Sequence, residues 1–540
     1  MKYKTLKRIR VIISLLFLIF LGIFFLDFAD AFPTGVIKGV VFLQFVPSAL
    51  KFFNVFSLIA VGFIVVLILT LLFGRVYCST ICPLGILQDV ISFLKLKLNK
   101  KQKRYKYRYL KAFRWLRYSI LAVTLGFLFS GSMLALSFLD PYSIFGRIIS
   151  DIFSPLMTQG NNLLASILNN FDIYALYHID PFPPHAAIIS ISIGFLILVG
   201  WLALTNGRLY CNTVCPVGTF LGLVSKISLY KIRLNPDTCT KCGLCEKACK
   251  GGCIETKTQM VDFSRCVGCF NCLQVCPFSS AEYSLNPLYT SLKPAIAGTS
   301  GVSQASGEGM NAQSSHKTDT SKRKFLAALG MAFWGISRLG KAQELVSHSA
   351  TKPVKRENPI SPPGAETTER FNSACTACHL CVNVCPTGVL QPAMLEYGLQ
   401  GFMQPRVDAQ AGFCDYECVA CTEVCPTGAL LQLKIDDKQL TQLGKSHFVK
   451  ENCIVETEGT NCGACSEVCP TKAVYMIDYG EGLKIPEVNN DICVGCAACE
   501  HACPTLPYKA IYVEGNLVHM DAEKPDQEKV KVEQKEDFPF

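Results

Sequence analysis

Histidine is scarce in this chain, eight residues in 540, and none falls inside a long apolar run. That excludes a haem b held by two histidines between membrane helices. Nucleotide fingerprints, hydrolase motifs and flavin signatures are missing too, so the sequence points to neither nucleotide-dependent nor hydrolytic chemistry. Charged residues are only 17 % of the chain, and between Lys95 and Arg117 there is no acid at all among many Lys and Arg. The net charge of +10 suggests nucleic acid. Most of the excess, however, sits beside apolar spans, where basic residues set membrane orientation. No nucleic-acid partner is expected.

What is abundant is apolar sequence and cysteine. Half the residues are hydrophobic. Four stretches reach the ~20 helical residues needed to cross a bilayer core of about 30 Å. They lie near Val11 to Phe28, Ser57 to Phe73, Tyr118 to Phe138 and Ala187 to Leu204. Lys2, Lys4, Lys7, Arg8 and Arg10 at the start, and the basic loop from Lys95 to Arg117, belong on the cytoplasmic side. The loops from Asp27 to Asn54 and from Leu139 to His185 then face outward. GRVYCSTICPLG from Gly74 and GRLYCNTVCPVG from Gly207 repeat one element after two spans. The first half therefore reads as a duplicated helix pair with a pseudo-two-fold axis along the membrane normal.

Of the 29 cysteines, all but four follow Asn235, most in groups of four. Grouped C-x2-C spacing indicates metal ligation rather than disulfides. Cys266, Cys269, Cys272 and Cys276-Pro277 form a full bacterial ferredoxin run, as do Cys375, Cys378, Cys381 and Cys385-Pro386, and Cys493, Cys496, Cys499 and Cys503-Pro504. Variants stand at Cys239, Cys242, Cys245 and Cys249, which lacks the proline, at Cys414, Cys418, Cys421 and Cys425, and at Cys453, Cys462, Cys465 and Cys469. In such pairs the last cysteine of each motif ligates the other cluster. Six motifs thus predict about six [4Fe–4S] clusters in three two-cluster units. Zinc also uses C-x2-C pairs, but six triples each trailed by a fourth cysteine favour iron–sulfur. CTACH at Cys375 fits a c-type haem pattern, yet Cys381 and Cys385 complete a ferredoxin motif around it and leave His379 in the cluster shell. Cys253 is left over, either a spare thiol or a substitute for Cys249. GALLQL, KAVYMI and KAIYV read as the short strands of a ferredoxin fold.

Cys78, Cys82, Cys211 and Cys215 are a separate set, in two C-x3-C-P elements that the repeat can bring together. They read as a redox dithiol pair, as metal or cluster ligands, or as buried apolar packing. In the second outer loop His178, His185, Asp140 and Asp180 are candidate acceptors for quinol protons, or ordinary loop residues.

The expected fold class is mixed. A four-helix transmembrane domain, the duplicated helix pair, joins α+β bacterial-ferredoxin-like domains that hold multiple [4Fe–4S] clusters. Residues 1–230 form the transmembrane domain, 231–284 a cytoplasmic two-cluster ferredoxin domain, and 285–320 a flexible linker. Residues 321–345 (SKRKFLAALGMAFWGISRLGK at the start) have a basic lead and a short apolar core, suited to an export signal or anchor. Residues 346–518 form a four-cluster ferredoxin domain and 519–540 a charged, disordered tail.

On these motifs residues 1 to about 284 resemble the NapH-type membrane ferredoxins. Residues from about 321 to 515 resemble the NapG/MauM-type exported ferredoxins, through SPPGAETTERF from Ser361, GFMQPRVDAQAGFCDYEC from Gly401 and the four cluster motifs. Lys322 stands where a twin-arginine signal has its first arginine. The resemblance implies a quinol dehydrogenase module in the bacterial inner membrane. It would be multi-pass, with the first ferredoxin domain cytoplasmic and the second periplasmic. It would draw on the quinone pool and deliver electrons to a periplasmic reductase or cytochrome. The alternative is an accessory electron donor for metalloenzyme maturation, or a redox-sensing membrane regulator.

Overall fold

The computed structural model describes residues 2–26, 34–56, 61–98, 107–179, 186–286 and 355–524. The signal-like segment 321–345 and nearly all of the expected linker lie outside the described residues. The first half is helical: α1 (Lys2–Phe24), α2 (Thr34–Phe42), α3 (Phe45–Val55), α4 (Gly62–Phe73), α5 (Tyr77–Thr80), α6 (Pro83–Leu98), α7 (Arg114–Phe129), α8 (Leu134–Leu139), α9 (Pro141–Ile148), a π-helical turn (Ile149–Phe153), α10 (Ser154–Asn169), α11 (Ala186–Asn206), α12 (Leu209–Thr213) and α13 (Pro216–Ser225).

The expected four-helix transmembrane bundle is corrected here. Among the described residues one helix, α11, is long and apolar enough to cross a membrane, and the α2–α3 pair, bent by 106°, would add a second if read as one span. The other expected spans fail for local reasons. Basic residues occupy the first turns of α1, α4 has 12 residues, and the third stretch breaks at Gly131, whose φ is +78°. Outward faces are nonetheless apolar: Ile12, Leu16 and Ile19 on α1, Ile68 and Leu72 on α4, Val123 and Phe127 on α7, and Ile197 and Trp201 on α11 are exposed. Large exposed apolar surfaces mark contact with lipid or protein.

The two repeated elements grip each other. Gly74 and Gly207 both take positive φ, +77° and +69°, which turns the chain into each short helix. Pro83 and Pro216 start α6 and α13, where a missing N–H costs nothing. Arg75 Nη2 donates to the Cys211 carbonyl at 3.1 Å, and Arg208 Nη1 donates to the Cys78 carbonyl. Both arginines are fully buried. The exchange is reciprocal, as a pseudo-two-fold relation requires. Gly85 and Gly218 make room for it, since a Cβ at either would meet the opposite arginine and the preceding cysteine carbonyl.

Two small α+β regions complete the chain. In the first, β1 (Tyr230–Leu234) pairs antiparallel with β4 (Ala281–Leu285), and β2 (Ile254–Glu255) with β3 (Met260–Val261). In the second, β5 (Leu390–Pro392) pairs with β6 (Pro405–Val407), β7 (Thr441–Phe448) with β10 (Ile511–Asp521), and β8 (Val474–Gly480) with β9 (Leu483–Val488). Strand β10 runs past residue 518, where the tail was expected to begin, because Met520 and Asp521 pair with Gln442 and Thr441.

These regions touch opposite ends of α1. Near its start Lys7 Nζ donates to Gln274 Oε1 of the first region at 2.6 Å, and just past its end the Phe25 carbonyl accepts from Asn383 of the second. A 23-residue helix is about 34 Å long. The first region is held by buried polar contacts: Arg75 Nη1 and Arg117 Nη2 both donate to the Ser264 carbonyl, at 2.9 and 3.1 Å. The basic loop lies along it, with the Tyr107 amide donating to the Lys247 carbonyl and the Leu110 amide to that of Gly252.

Asp89 of α6 gathers three cations, Arg10 of α1, Arg208 before α12 and Lys250 of the first region, at 3.3, 2.8 and 3.2 Å. Removing one partner of a buried ionic group typically costs about 3–5 kcal/mol. Asp89→Ala should therefore lower the thermal midpoint of the detergent-solubilised protein sharply and expose the first region to protease. An unchanged midpoint would show that the three cations find other partners.

Candidate iron–sulfur sites

Short helices carry the third cysteine of each motif, and the loop before them is tightly turned. The residues after Cys242, Cys269, Cys378 and Cys496, namely Gly243, Phe270, His379 and Ala497, all have φ between +57° and +73°. Only the first is glycine. This left-handed residue folds each loop back so that several thiols share one side.

The structure brings the thiols together in six sets, each crossing between motifs. Cys245 lies within electrostatic reach of Cys239, Cys242 and Cys276. Cys266, Cys269, Cys272 and Cys249 line one small cavity, which Cys253 also lines. In the second region Cys381 faces Cys375, Cys378 and Cys425, and Cys421 faces Cys414, Cys418 and Cys385. Cys453, Cys462, Cys465 and Cys503 line a second small cavity. Cys499 faces Cys493, Cys496 and Cys469. Among the described residues no three His, Cys, Asp or Glu side chains close around a single metal ion.

Burial, reinforced by Cys503 and Cys462, pushes the Cys465 thiol up to about 12. Burial likewise pushes Cys245 up to about 11. Iron must displace those protons, so loading releases protons and stabilises the fold at once. One feature escaped the sequence reading although its signal was plain, a Cys-Pro-Thr repeated four times in the second region. Thr387, Thr427, Thr471 and Thr505 set their hydroxyls against the fourth thiols, at 3.5, 3.9, 3.8 and 3.1 Å.

Cys78, Cys82, Cys211 and Cys215 converge as well, all at most 3 % exposed and within mutual electrostatic reach. Gln88 Nε2 donates to Cys211 Sγ at 3.2 Å, and the Gly218 amide to Cys215 Sγ at 3.3 Å. One apolar core runs without a break from Val267 and Cys269 of the first region, through this quartet, to Cys378 and Leu380 of the second.

The family comparisons follow this geometry. Models described as 4Fe-4S binding domains match residues 55–101 with 187–235, which contain the quartet, and residues 266–280. Models described as 4Fe-4S dicluster domains match 374–430 and 460–506. The ferredoxin-type protein NapG of Escherichia coli is 31 % identical over 206 residues, 35 % of this chain and 84 % of NapG. The chain belongs to the NapH/NapG ferredoxin-type family. The ferredoxin-type protein NapH of Haemophilus influenzae is 26 % identical over 231 residues, 41 % of this chain and 66 % of NapH. The putative electron transport protein YccM of Escherichia coli is 28 % identical over 226 residues, 41 % of this chain, and the match spans about half of YccM, 54 %. No solved structure matches. The 4Fe-4S models and the ferredoxin-type relatives support electron transfer through multiple [4Fe–4S] clusters.

The family resemblance did not foretell how the second region docks. His379, expected only in a cluster shell, is fully buried and reaches the helical half. Its Nδ1 lies 2.7 Å from Asp151 Oδ1 in the π turn, and its Nε2 lies 3.0 Å from the Met403 carbonyl. Ser192 Oγ of α11 donates to Asp151 Oδ2 at 2.6 Å. Asn54 Nδ2 adds a bond to the Thr427 carbonyl at 3.0 Å. Asp140, a proposed proton acceptor, is buried at this junction and caps α9 through Ser143. His178 is described in the loop after α10, whereas Asp180 and His185 lie outside the described residues. His379→Ala would leave Asp151 hydrogen-bonded to Ser192, with the buried Arg147 as its neighbouring charge. Hydrogen exchange should then rise several-fold in α9 and in residues 371–384 while the rest of the second region stays protected. Unchanged exchange at the junction would show that His379 does not hold it.

Proposed function

We propose that the protein oxidises quinol in the bacterial inner membrane and relays the electrons through six [4Fe–4S] clusters to a periplasmic reductase or cytochrome. The observation that carries this reading is the placement of the two ferredoxin regions at opposite ends of one buried core, with the cysteine quartet between them. Hydrocarbon about 30 Å thick separates the two faces of a bilayer, and in this reading the buried quartet is the redox group that helps to bridge it.

In this reading Cys239, Cys242, Cys245 and Cys276 hold one cluster, and Cys266, Cys269, Cys272 and Cys249 the next. In the second region the four sets are Cys375, Cys378, Cys381 and Cys425; Cys414, Cys418, Cys421 and Cys385; Cys493, Cys496, Cys499 and Cys469; and Cys453, Cys462, Cys465 and Cys503. A bound cubane supplies one-electron carriage. The chain's own contribution is to hold the thiols and to link the sets in sequence. The Cys414 amide, for example, donates to the Cys496 carbonyl at 2.9 Å and so joins two two-cluster units. Quinol oxidation also releases two protons, which iron–sulfur groups do not take. Beneath the second region Asp140 Oδ1 and Tyr142 OH are buried without partners among the described residues, and they suit the hydroxyl groups of a quinol head.

Sidedness follows from charge. The basic start of α1 lies with the first region, and basic residues favour the cytoplasmic side, which supports a reading with the first region in the cytoplasm and the second in the periplasm. Reporter fusions after Cys276 should read cytoplasmic and fusions after Cys503 periplasmic. If both read cytoplasmic, the acceptor is cytosolic and the export reading is withdrawn.

The quartet is tested separately. Changing Cys78, Cys82, Cys211 or Cys215 to Ser should stop quinol-driven bleaching of the clusters, whereas dithionite should still reduce them fully. A packing role predicts only a small stability loss for so near an isostere. Full quinol-driven reduction in all four variants would make the quartet structural. Wild-type protein that dithionite reduces but quinol does not would favour the accessory role.

A further inference from the structure

The cavity nearest the helical half has one thiol too many. Cys249, Cys253, Cys266, Cys269 and Cys272 all line it, and a cubane takes four thiolates. Cys253 is 2 % exposed, and its Sγ lies 3.4 Å from Cys249 Sγ. It is also hydrogen-bonded to Cys266, so it stands between two of the four sulfurs already assigned. The other described cavity of this kind is lined by four cysteines and no more.

The local chain explains how the fifth sulfur arrives. In five motifs the fourth cysteine is followed by proline, which fixes φ; after Cys249 comes Lys250, then Gly251 and Gly252. The Gly252 amide donates to the Cys249 carbonyl at 3.1 Å, and Gly252 has φ +56°. This glycine turn folds the chain back so that Cys253 lies on Cys249. Lys250 anchors it from outside through Asp89 at 3.2 Å.

We infer that Cys249 and Cys253 are interchangeable ligands for one iron of this cluster. The inference rests on the cluster assignment proposed above. In the exchange the iron–Sγ bond to Cys249 breaks and the bond to Cys253 forms. The Cys253 thiol proton passes to the departing Cys249 sulfur, and no electron changes hands. The site sits at the junction with the helical half, where Gly268 packs on Val76, two residues before Cys78. A reserve ligand there keeps the relay loaded when the first bond is lost.

The test uses full-length, anaerobically purified protein and counts iron and sulfide, with Mössbauer and EPR spectra of the reduced state. Wild type should hold about 24 irons from six cubanes; a lower wild-type count would sink the parent assignment, not this inference alone. Cys249→Ala should keep the wild-type count with one altered EPR signal, and Cys253→Ala should keep it as well. The double variant should lose one cluster or convert it to a three-iron form. Loss in Cys249→Ala equal to that in the double variant, or no loss in the double variant, overturns the inference. Should Cys249→Ala fail to fold, Cys253→Ala decides: an iron chelator should strip one of its clusters several-fold faster than in wild type, and equal rates overturn the inference.

Discussion

Two buried arginines hold the centre of this molecule. Arg75 and Arg208 each cross to the main chain of the other repeat, at Cys211 and Cys78, and a guanidinium placed so deep must find acceptors. Arg75 Nη1 also donates to Asn212 and to the Ser264 carbonyl of the first ferredoxin region, and Arg208 binds Asp89. The same few contacts therefore close the cysteine quartet, fix the two repeats face to face and seat a ferredoxin region against them. The glycines and prolines of the GRxYCxxxCPxG element serve this arrangement by clearing space and turning the chain.

The ferredoxin regions depend on a different constraint. Their sheets are only two-stranded, and such small sheets are marginal alone. Much of what is buried in their cores is sulfur: Cys375, Cys421, Cys453, Cys465, Cys469, Cys493, Cys499 and Cys503 all lie in the core of the second region. Because each fourth cysteine crosses to the neighbouring set, folding and cluster binding are one process, and each pair of motifs is a single unit. The Thr hydroxyls against the fourth thiols add a further bond to sulfur, and hydrogen bonds of that kind tune cluster potentials.

The junction between the helical half and the second region is polar at its centre. His379, Asp151 and Ser192 form a buried chain across it, each bonded on both sides or nearly so, and apolar Phe25, Phe145 and Phe138 pack around them. A polar contact of this kind specifies one docking geometry, since any shift leaves a buried charge unpaired. The residue next to Cys378 is thereby tied to the helical half, and so is the thiol set that Cys378 joins.

Much of this protein was legible in its sequence, because spacing alone states the chemistry. Three cysteines two apart with a trailing fourth point to a cubane, and the 4Fe-4S models that match these stretches agree. The repeat around Cys78 and Cys211 announced two equivalent elements, and the basic start marked one side. Hydropathy misled where it counted residues without seeing breaks. Gly131 cuts one expected span, α4 is short, and charges at the start of α1 leave α11 as the one helix among the described residues that meets the length and apolarity of a span. Contacts between residues hundreds of positions apart could be decided only by the tertiary structure, since no local pattern records them. His379 read only as a cluster-shell residue until it met Asp151, 228 residues away. Cys253 looked surplus until the glycine turn laid it on Cys249. The placement of the two ferredoxin regions at opposite ends of α1 likewise emerges only when the buried arginines, the His379 chain and the packed core act together in three dimensions.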